Sequence, residues 1–278
     1  MERANQAAAQ AKEIERCLSQ VKYKIAVCSG KGGVGKTTVA VNLAMTLALQ
    51  GHKVGILDVD ITGPNVPKIL NMVGMRPGMA DEGEKFLPRI GPKGVKVMSM
   101  AFLLESEDTP VIWRGPMKMS AIRQFLAEGV WGELDYLVVD LPPGTSDELL
   151  DILQLMQDAG VVVVTTPQDA ALNTSRKAVM MAKQMKRKML GIIENMAGLR
   201  AICPKCKEPI LLNVFGEGGG AQAAVDYDVP FLGSIPLDIT LRERADEGLP
   251  ITIDEQKGES AKIFGEICGK IQSELKKA

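Results

Sequence analysis

The chain has 278 residues and a mass of 29.9 kDa, with 33 basic against 34 acidic residues and a formal net charge of −1. A chain of this length buries roughly three quarters of its unfolded surface, enough for one large core. Its balanced charge sets up no field that would draw it to nucleic acid or to an anionic membrane, and no apolar run approaches a membrane span. The first twenty residues are polar and alanine-rich, without the apolar centre of a signal peptide, so a cytoplasmic protein is expected, with no nucleic acid and no membrane among its partners. Five cysteines, Cys17, Cys28, Cys203, Cys206 and Cys268, are too few and too scattered for a secreted disulfide framework; metal or redox use becomes the question. The single histidine, His52, lies in a Gly-His-Lys turn and reads as a surface residue, which argues against His-based triads and His-rich metal sites.

In chain order, residues 1–20 form an extension with only Ile14 and Leu18 as apolar anchors, which predicts a short, weakly docked helix ahead of one main domain spanning 21–278. Residues 24–28 (KIAVC) read as a buried strand and 37–49 as an apolar-faced helix. Between them, residues 30–38 read GKGGVGKTT and fit G-x-x-x-x-G-K-[ST], a loop that wraps a nucleotide's phosphates. Gly30, Gly32, Gly33 and Gly35, with Val34 among them, let the backbone turn N–H groups inward, and the helix dipole that begins at Lys36, Thr37 and Thr38 faces the same anion. Lys36 is expected on the β- and γ-phosphates of ATP and Thr37 on Mg²⁺. Lys31, a second lysine in the loop, is not explained by phosphate binding within one chain.

A second strand, 53–57, ends in Asp58-Val59-Asp60, and acids at a strand's C-terminal end face a ligand crevice. Residues 72–96, rich in Gly and Pro, show no periodicity and are expected to cover a sheet edge or the nucleotide. Residues 95–100 read as a strand, Trp113-Arg114 leads into a helix over 117–128 with Met119, Ile122 and Phe125 on one face, and 135–140 (DYLVVD) is an apolar strand ending in a carboxylate. Asp140 is placed to hold Mg²⁺, and Gly144 in the following Pro-Pro-Gly-Thr turn to offer its N–H to a γ-phosphate. Further strands over 161–165, 190–193 and 231–235 alternate with amphipathic helices. The expected fold is α/β, a mainly parallel sheet with helices on both faces. The run KQMKRK (183–188) reads as a solvated helix terminus. The last helix, 261–275, carries a stripe of Ile263, Ile267, Ile271 and Leu275, and packing on the domain is preferred over a membrane surface because Glu259, Glu266 and Glu274 dilute its positive charge.

The motif CPKC (203–206) is a knuckle that presents two thiolates to one metal, whereas a closed tetrahedral site takes four ligands. No cysteine or histidine lies nearby in sequence, and an isologous dimer would bring two pairs together on its axis. A zinc knuckle, an idle surface pair and a redox dithiol remain open alternatives at this point.

The two-lysine loop resembles the deviant Walker A of the nitrogenase iron protein, MinD, ParA and arsenite-pump ATPases. With DVDITGPN (58–65), WRGPMK (113–118), DLPPGTSDE (140–148), TTPQDAAL (165–172), ENMAG (194–198), CPKC, GEGGG (216–220) and LGSIPLD (232–238), the chain resembles Mrp/Nbp-type iron–sulfur carrier ATPases over nearly its whole length after residue 20. The resemblance implies a homodimer with Lys31 reaching across to the partner's ATP, and Asp60 as the switch carboxylate near the attacking water. It further implies Asp140 on Mg²⁺, Asn195 on the adenine edge, and the loop of Pro236 and Asp238 flanking the base. It also implies a [4Fe–4S] cluster, with zinc as rival occupant, bridged by Cys203 and Cys206 and passed to apo iron–sulfur client proteins. Asn65 and Ser146 depart from the family's common serine and glycine. A lone Cys17 excludes the four-cysteine N-terminal cluster of some members, and the bacterial accessory domain is not expected. A MinD/ParA-like positioning switch and a nitrogenase-reductase-like electron donor are the competing functions.

Overall fold

In the computed structural model, residues 11–60, 63–80, 85–104, 115–144, 147–203, 205–250 and 258–277 are described. A helix over residues 11–18 (α1) precedes β1 (Val21–Ser29), α2 (Lys36–Leu49), β2 (Val54–Asp58) and the short α3 (Val66–Ile69). A small antiparallel pair, β3 (Gly78–Ala80) and β4 (Lys85–Leu87), leads to β5 (Arg89–Ile90) and β6 (Lys96–Ser99). Then come α4 (Gly115–Glu128), β7 (Leu134–Asp140), α5 (Asp147–Leu155), β8 (Gly160–Thr165), α6 (Asp169–Gln184), β9 (Met189–Ile202) and β10 (Pro209–Leu212). The chain closes with α7 (Gly219–Asp226), β11 (Phe231–Leu237), α8 (Ile239–Asp246) and α9 (Glu259–Lys276).

The main sheet runs β10-β9-β8-β1-β7-β2-β6-β5, with β11 on the free edge of β9; all of these pairs are parallel except β5 on β6 and β10 on β9. Both faces are covered, which is why the central strands read as unbroken apolar runs. Along β1, Ala26 and Cys28 join one core with Leu137, Val139, Val161 and Val163, while Ile25 and Val27 join the opposite core with Val138, Val162 and Val164. α4, α5, α6 and α7 fill the first core; α2, α3 and α9 fill the second. On α9, Phe264, Ile267, Cys268 and Ile271 are buried. Each large apolar side chain so buried contributes about 1.5–3 kcal/mol, so this helix is a structural wall of the sheet.

Three elements bear on the sequence reading, and the first differs from it. α1 is firmly seated: Ile14 and Leu18, one turn apart on one face, are fully buried in the first core, and Cys17 Sγ donates to the Ala127 carbonyl at 2.8 Å. The Gly/Pro-rich stretch supplies the antiparallel edge strand β5, and its described residues cover the sheet edge and not the phosphate loop. The basic run closes α6 as expected, with Gln184, Lys186 and Lys188 exposed, while Lys183 and Arg187 also bond to carbonyls. Lys183 Nζ donates to the Tyr227 and Asp228 carbonyls at 2.6 and 3.1 Å, and Arg187 donates to the Gln157 carbonyl at 2.5 Å. The Trp113-Arg114 motif, Thr145, Ser146 and Pro204 lie outside the described residues.

The largest difference is β9. Its pairing with β8 ends at Thr165↔Glu194, yet the strand continues through residues 195–202, about 26 Å at 3.3 Å per residue. β11 flanks it as far as Leu199, and β10 pairs it from Leu199 to Ile202. The result is a hairpin that projects from the C-terminal edge of the parallel strands.

Candidate functional site

Every parallel strand that carries a motif delivers it to that same edge. β1 runs into the glycine loop, whose Gly33 and Gly35 have φ of 77° and 79°. Gly35 N-caps α2, and a Cβ there would stand 2.3 Å from Asn195 Nδ2, so only glycine fits. Gly30 is required for another reason. A Cβ on it would meet the Thr174 backbone at 2.2 Å, so this glycine serves the close approach of α6 and not the anion. The loop opens onto a cavity of about 640 Å³, within the usual range for a small-molecule site. Lys31, Gly32, Gly33, Val34, Gly35, Lys36, Thr37, Thr38, Asp60, Asn195, Pro236 and Asp238 all line it.

At the cavity floor Lys36 Nζ lies 2.6 Å from Asp140 Oδ1 and 3.4 Å from Thr37 Oγ1. Lys36 is 6% exposed and Asp140 fully buried, so this is an ion pair in a low-dielectric setting. Burial raises the Asp140 carboxyl above the usual carboxylate range while the Lys36 charge pulls it back down. Asp140 Oδ2 is buried without a hydrogen-bond partner. An orphaned carboxylate oxygen beside a threonine hydroxyl is the hard-oxygen donor set that suits Mg²⁺, so Thr37 and Asp140 fit that ion.

Several of the expected ligands also carry bonds within the chain. Asp58 does not line the cavity; its carboxylate accepts Ser99 Oγ at 2.9 Å and the Asp60 N–H at 3.1 Å. Burial, reinforced by the Asp140 charge, pushes Asp58 up to about 8. Its geometry makes it the brace of the Asp60 turn, while Asp60, 7% exposed, faces the cavity and accepts the Gly63 N–H at 3.2 Å. The Gly144 N–H is committed to the Ser29 carbonyl at 2.9 Å, because the Pro-Pro-Gly turn folds back on β1. Asp238 spends both oxygens on structure: Oδ1 caps α8 through the Thr240 N–H at 2.8 Å, and Oδ2 accepts Ser260 Oγ at 2.6 Å. Asn195 Nδ2 donates to the Val34 carbonyl at 2.8 Å, which ties β9 to the phosphate loop. Lys31 Nζ donates to Gln168 Oε1 at 3.3 Å.

Two contributions were missed in the sequence. Leu241 and Arg242 of α8, with Lys68 and Ile69 of α3, form the far wall of the cavity, and no motif marks them. Glu194, fully buried, accepts the Gly218 and Gly220 N–H groups at 3.0 and 2.5 Å and Ser234 Oγ at 3.0 Å. It thereby fastens the GEGGG loop to the strand that carries Asn195; a carboxylate next to Asn195 in an apolar strand was the one available signal.

Four of the five cysteines separate into two chemical classes. Cys28 and Cys268 are buried, and burial pushes both thiols up to about 12, which makes them inert. Cys203 and Cys206 sit at the tip of the β9–β10 hairpin, half-buried and exposed respectively. Backbone N–H groups of Cys206 and Lys205, with the Cys206 thiol, lower the Cys203 thiol below its ordinary value. Among the described residues no group of three or more His, Cys, Asp or Glu side chains is placed to hold a metal ion, so the pair has no further ligand there from its own chain. Among them, too, no helix is long and apolar enough to cross a membrane.

The chain is 47% identical over 263 residues to an iron–sulfur cluster carrier protein of Methanocaldococcus jannaschii, covering 94% of this chain and 89% of that one. A carrier protein of Aquifex aeolicus is 48% identical over 244 residues, 88% of this chain and 65% of the relative. Among solved structures, a nucleotide-binding protein from Archaeoglobus fulgidus in complex with ADP superposes with a TM-score of 0.75 at 39% identity, over 91% of this chain and 96% of that one. The cell-division ATPase MinD of Pyrococcus furiosus shares the fold, with a TM-score of 0.63 at 23% identity over 91% and 99% of the two chains. The family described as NUBPL iron-transfer P-loop NTPase matches residues 20–272. Strand order, phosphate loop and relatives agree: the chain belongs to this iron-transfer branch of the ParA-type P-loop NTPases.

Proposed function

We propose that the protein is a cytoplasmic, ATP-dependent iron–sulfur cluster carrier. It assembles a [4Fe–4S] cluster between two copies of itself and passes it to apo-proteins. The observation that carries this is the hairpin. It lifts Cys203 and Cys206 away from the body on the same sheet edge as the phosphate loop, where the pair lacks further ligands among the described residues. A cubane cluster takes four thiolates, and two chains supply them. The relatives named as carriers at 47% and 48% identity support the same reading.

The chain's own residues divide the ATP chemistry among them. The loop N–H groups and the α2 dipole hold the phosphates, and Lys36 is drawn to their charge. Thr37 and Asp140 would hold Mg²⁺, which neutralises charge on the β- and γ-phosphates when bound. Asp60 faces the cavity and orients the attacking water. Asn195 and the Pro236 turn, which line the cavity, flank the base, and Lys31 of each copy reaches the nucleotide of the other. With no arginine finger in its motifs, turnover is slow, on the order of 10⁻³ s⁻¹ or below, as for P-loop enzymes that lack one.

The test is anaerobic reconstitution with iron and sulfide counting on the wild type and on the Cys203→Ser, Cys206→Ser double variant. The wild type should bind about four iron atoms per dimer and transfer them to an apo-acceptor, and the variant should bind none. Stoichiometric zinc in anaerobically purified protein, with no iron taken up, would overturn the carrier reading and leave the nucleotide site standing.

A further inference from the structure

Cys203 and Cys206 occupy different settings. Cys203 follows directly on Ile202, the last residue of β9 to pair with β10. Its N–H donates to the Glu208 carbonyl and its own carbonyl accepts the Lys207 N–H, both at 2.9 Å, so the backbone on either side of its Cα is locked into the hairpin. Its sulfur is half-buried at the base of the knuckle.

Cys206 stands at the exposed tip. Its sulfur lies 3.9 Å from Glu208 Oε2; a thiol can donate there, but a metal-bound thiolate meets a like charge. The next residue, Lys207, has φ +63°, a left-handed conformation that favours glycine, so the strain of the turn is stored on this side of the knuckle. Lys205 and Lys207 flank Cys206 and are both exposed, cations that favour a thiolate separated from iron and an incoming one alike.

We propose that the two ligands of each chain exchange in a fixed order, Cys206 first, with Cys203 as the anchor that keeps the cluster until the acceptor has engaged; this rests on the carrier reading above. The step is a ligand substitution. An acceptor thiolate forms an Fe–S bond at the iron held by Cys206, and the Cys206–iron bond breaks with its electron pair on the leaving sulfur. The proton shed by the acceptor thiol to water is regained from water by Cys206, and no iron changes oxidation state. Repetition at Cys203 then frees the cluster.

The experiment uses the full-length, cluster-loaded dimer with benzenethiol as the acceptor thiol. Samples are quenched at intervals with iodoacetamide, and alkylation at each cysteine is measured by peptide mass spectrometry. Cys206 should become labelled severalfold faster than Cys203, and its labelling should precede the loss of iron from the protein. Equal labelling rates, or Cys203 first, overturn the order while leaving the carrier reading intact. Failure of the wild type to take up iron overturns both. As a readout independent of transfer, Cys206→Ser should retain a measurable fraction of its iron with a shifted cluster spectrum, whereas Cys203→Ser should retain less. The reverse ranking refutes the anchor.

Discussion

Replacing Lys36 with alanine should damage the fold as well as the chemistry, and the size of the damage follows from the burial of its partner. Asp140 is fully buried, its Oδ1 is held by Lys36 at 2.6 Å, and its Oδ2 has no partner. Lys36→Ala leaves a buried carboxylate with neither oxygen compensated by a cation, a change that costs about 3–5 kcal/mol. In a chain of this size that lowers the melting temperature by on the order of 10 °C. The loss should depend on pH. Asp140 is already raised by burial, and removing the Lys36 charge that lowers it raises it further. A carboxyl raised in the folded state binds more protons there than in the unfolded chain, so the variant loses stability relative to wild type as pH rises, and regains it as the group protonates on acidification. Lys36→Ala combined with Asp140→Asn should recover much of the stability and none of the ATP binding, since the neutral amide no longer needs the cation. The assay is urea unfolding of both variants and wild type between about pH 5 and pH 8, beside equilibrium binding of a fluorescent ATP analogue. A Lys36→Ala protein as stable as wild type at every pH, or one that binds ATP normally, would refute the reasoning.

Asp60→Ala should leave ATP affinity near wild type and slow hydrolysis, because its carboxylate faces the cavity while Asp58 braces the turn behind it; equal loss of both in binding and turnover assays contradicts this. Lys31→Ala should bind ATP in its own loop yet lose ATP-dependent dimer closure in sedimentation. Mixing it with the Lys36→Ala, Asp140→Asn chain, which still carries Lys31, should restore one active site per mixed dimer, and no rescue of hydrolysis makes Lys31 an ordinary loop residue. Gly30→Ala should destabilise the protein by about 1–3 kcal/mol through overpacking against α6, since the new Cβ meets backbone at 2.2 Å; a thermal melt unchanged from wild type rules that contact out.

What the sequence alone determines here is local. The glycine loop, its lysine and threonine, and the helix that follows are nine adjacent residues and the start of α2, so their chemistry is written at a spacing the eye can check. Apolar runs such as residues 161–165 announce strands buried on both faces, and their alternation with helices implies the parallel sheet. The rest needed the third dimension because it joins residues far apart in the chain. Gly30 is small for the sake of Thr174, and the Gly144 N–H is taken by Ser29 on a different strand. Asp58 and Asp60 are the same side chain two residues apart, and only the neighbourhood of Ser99 turns one into a brace and leaves the other facing the cavity. The C-terminal half of β9 left no legible signal. A strand paired only to one hairpin partner and its neighbour beyond the sheet edge carries neither the continuous apolar run of a buried strand nor the clean alternation of a half-buried one. Leu211 and Leu212 are both exposed although they point to opposite faces of β10, and it is this two-sided exposure that puts Cys203 and Cys206 out where a second chain can reach them.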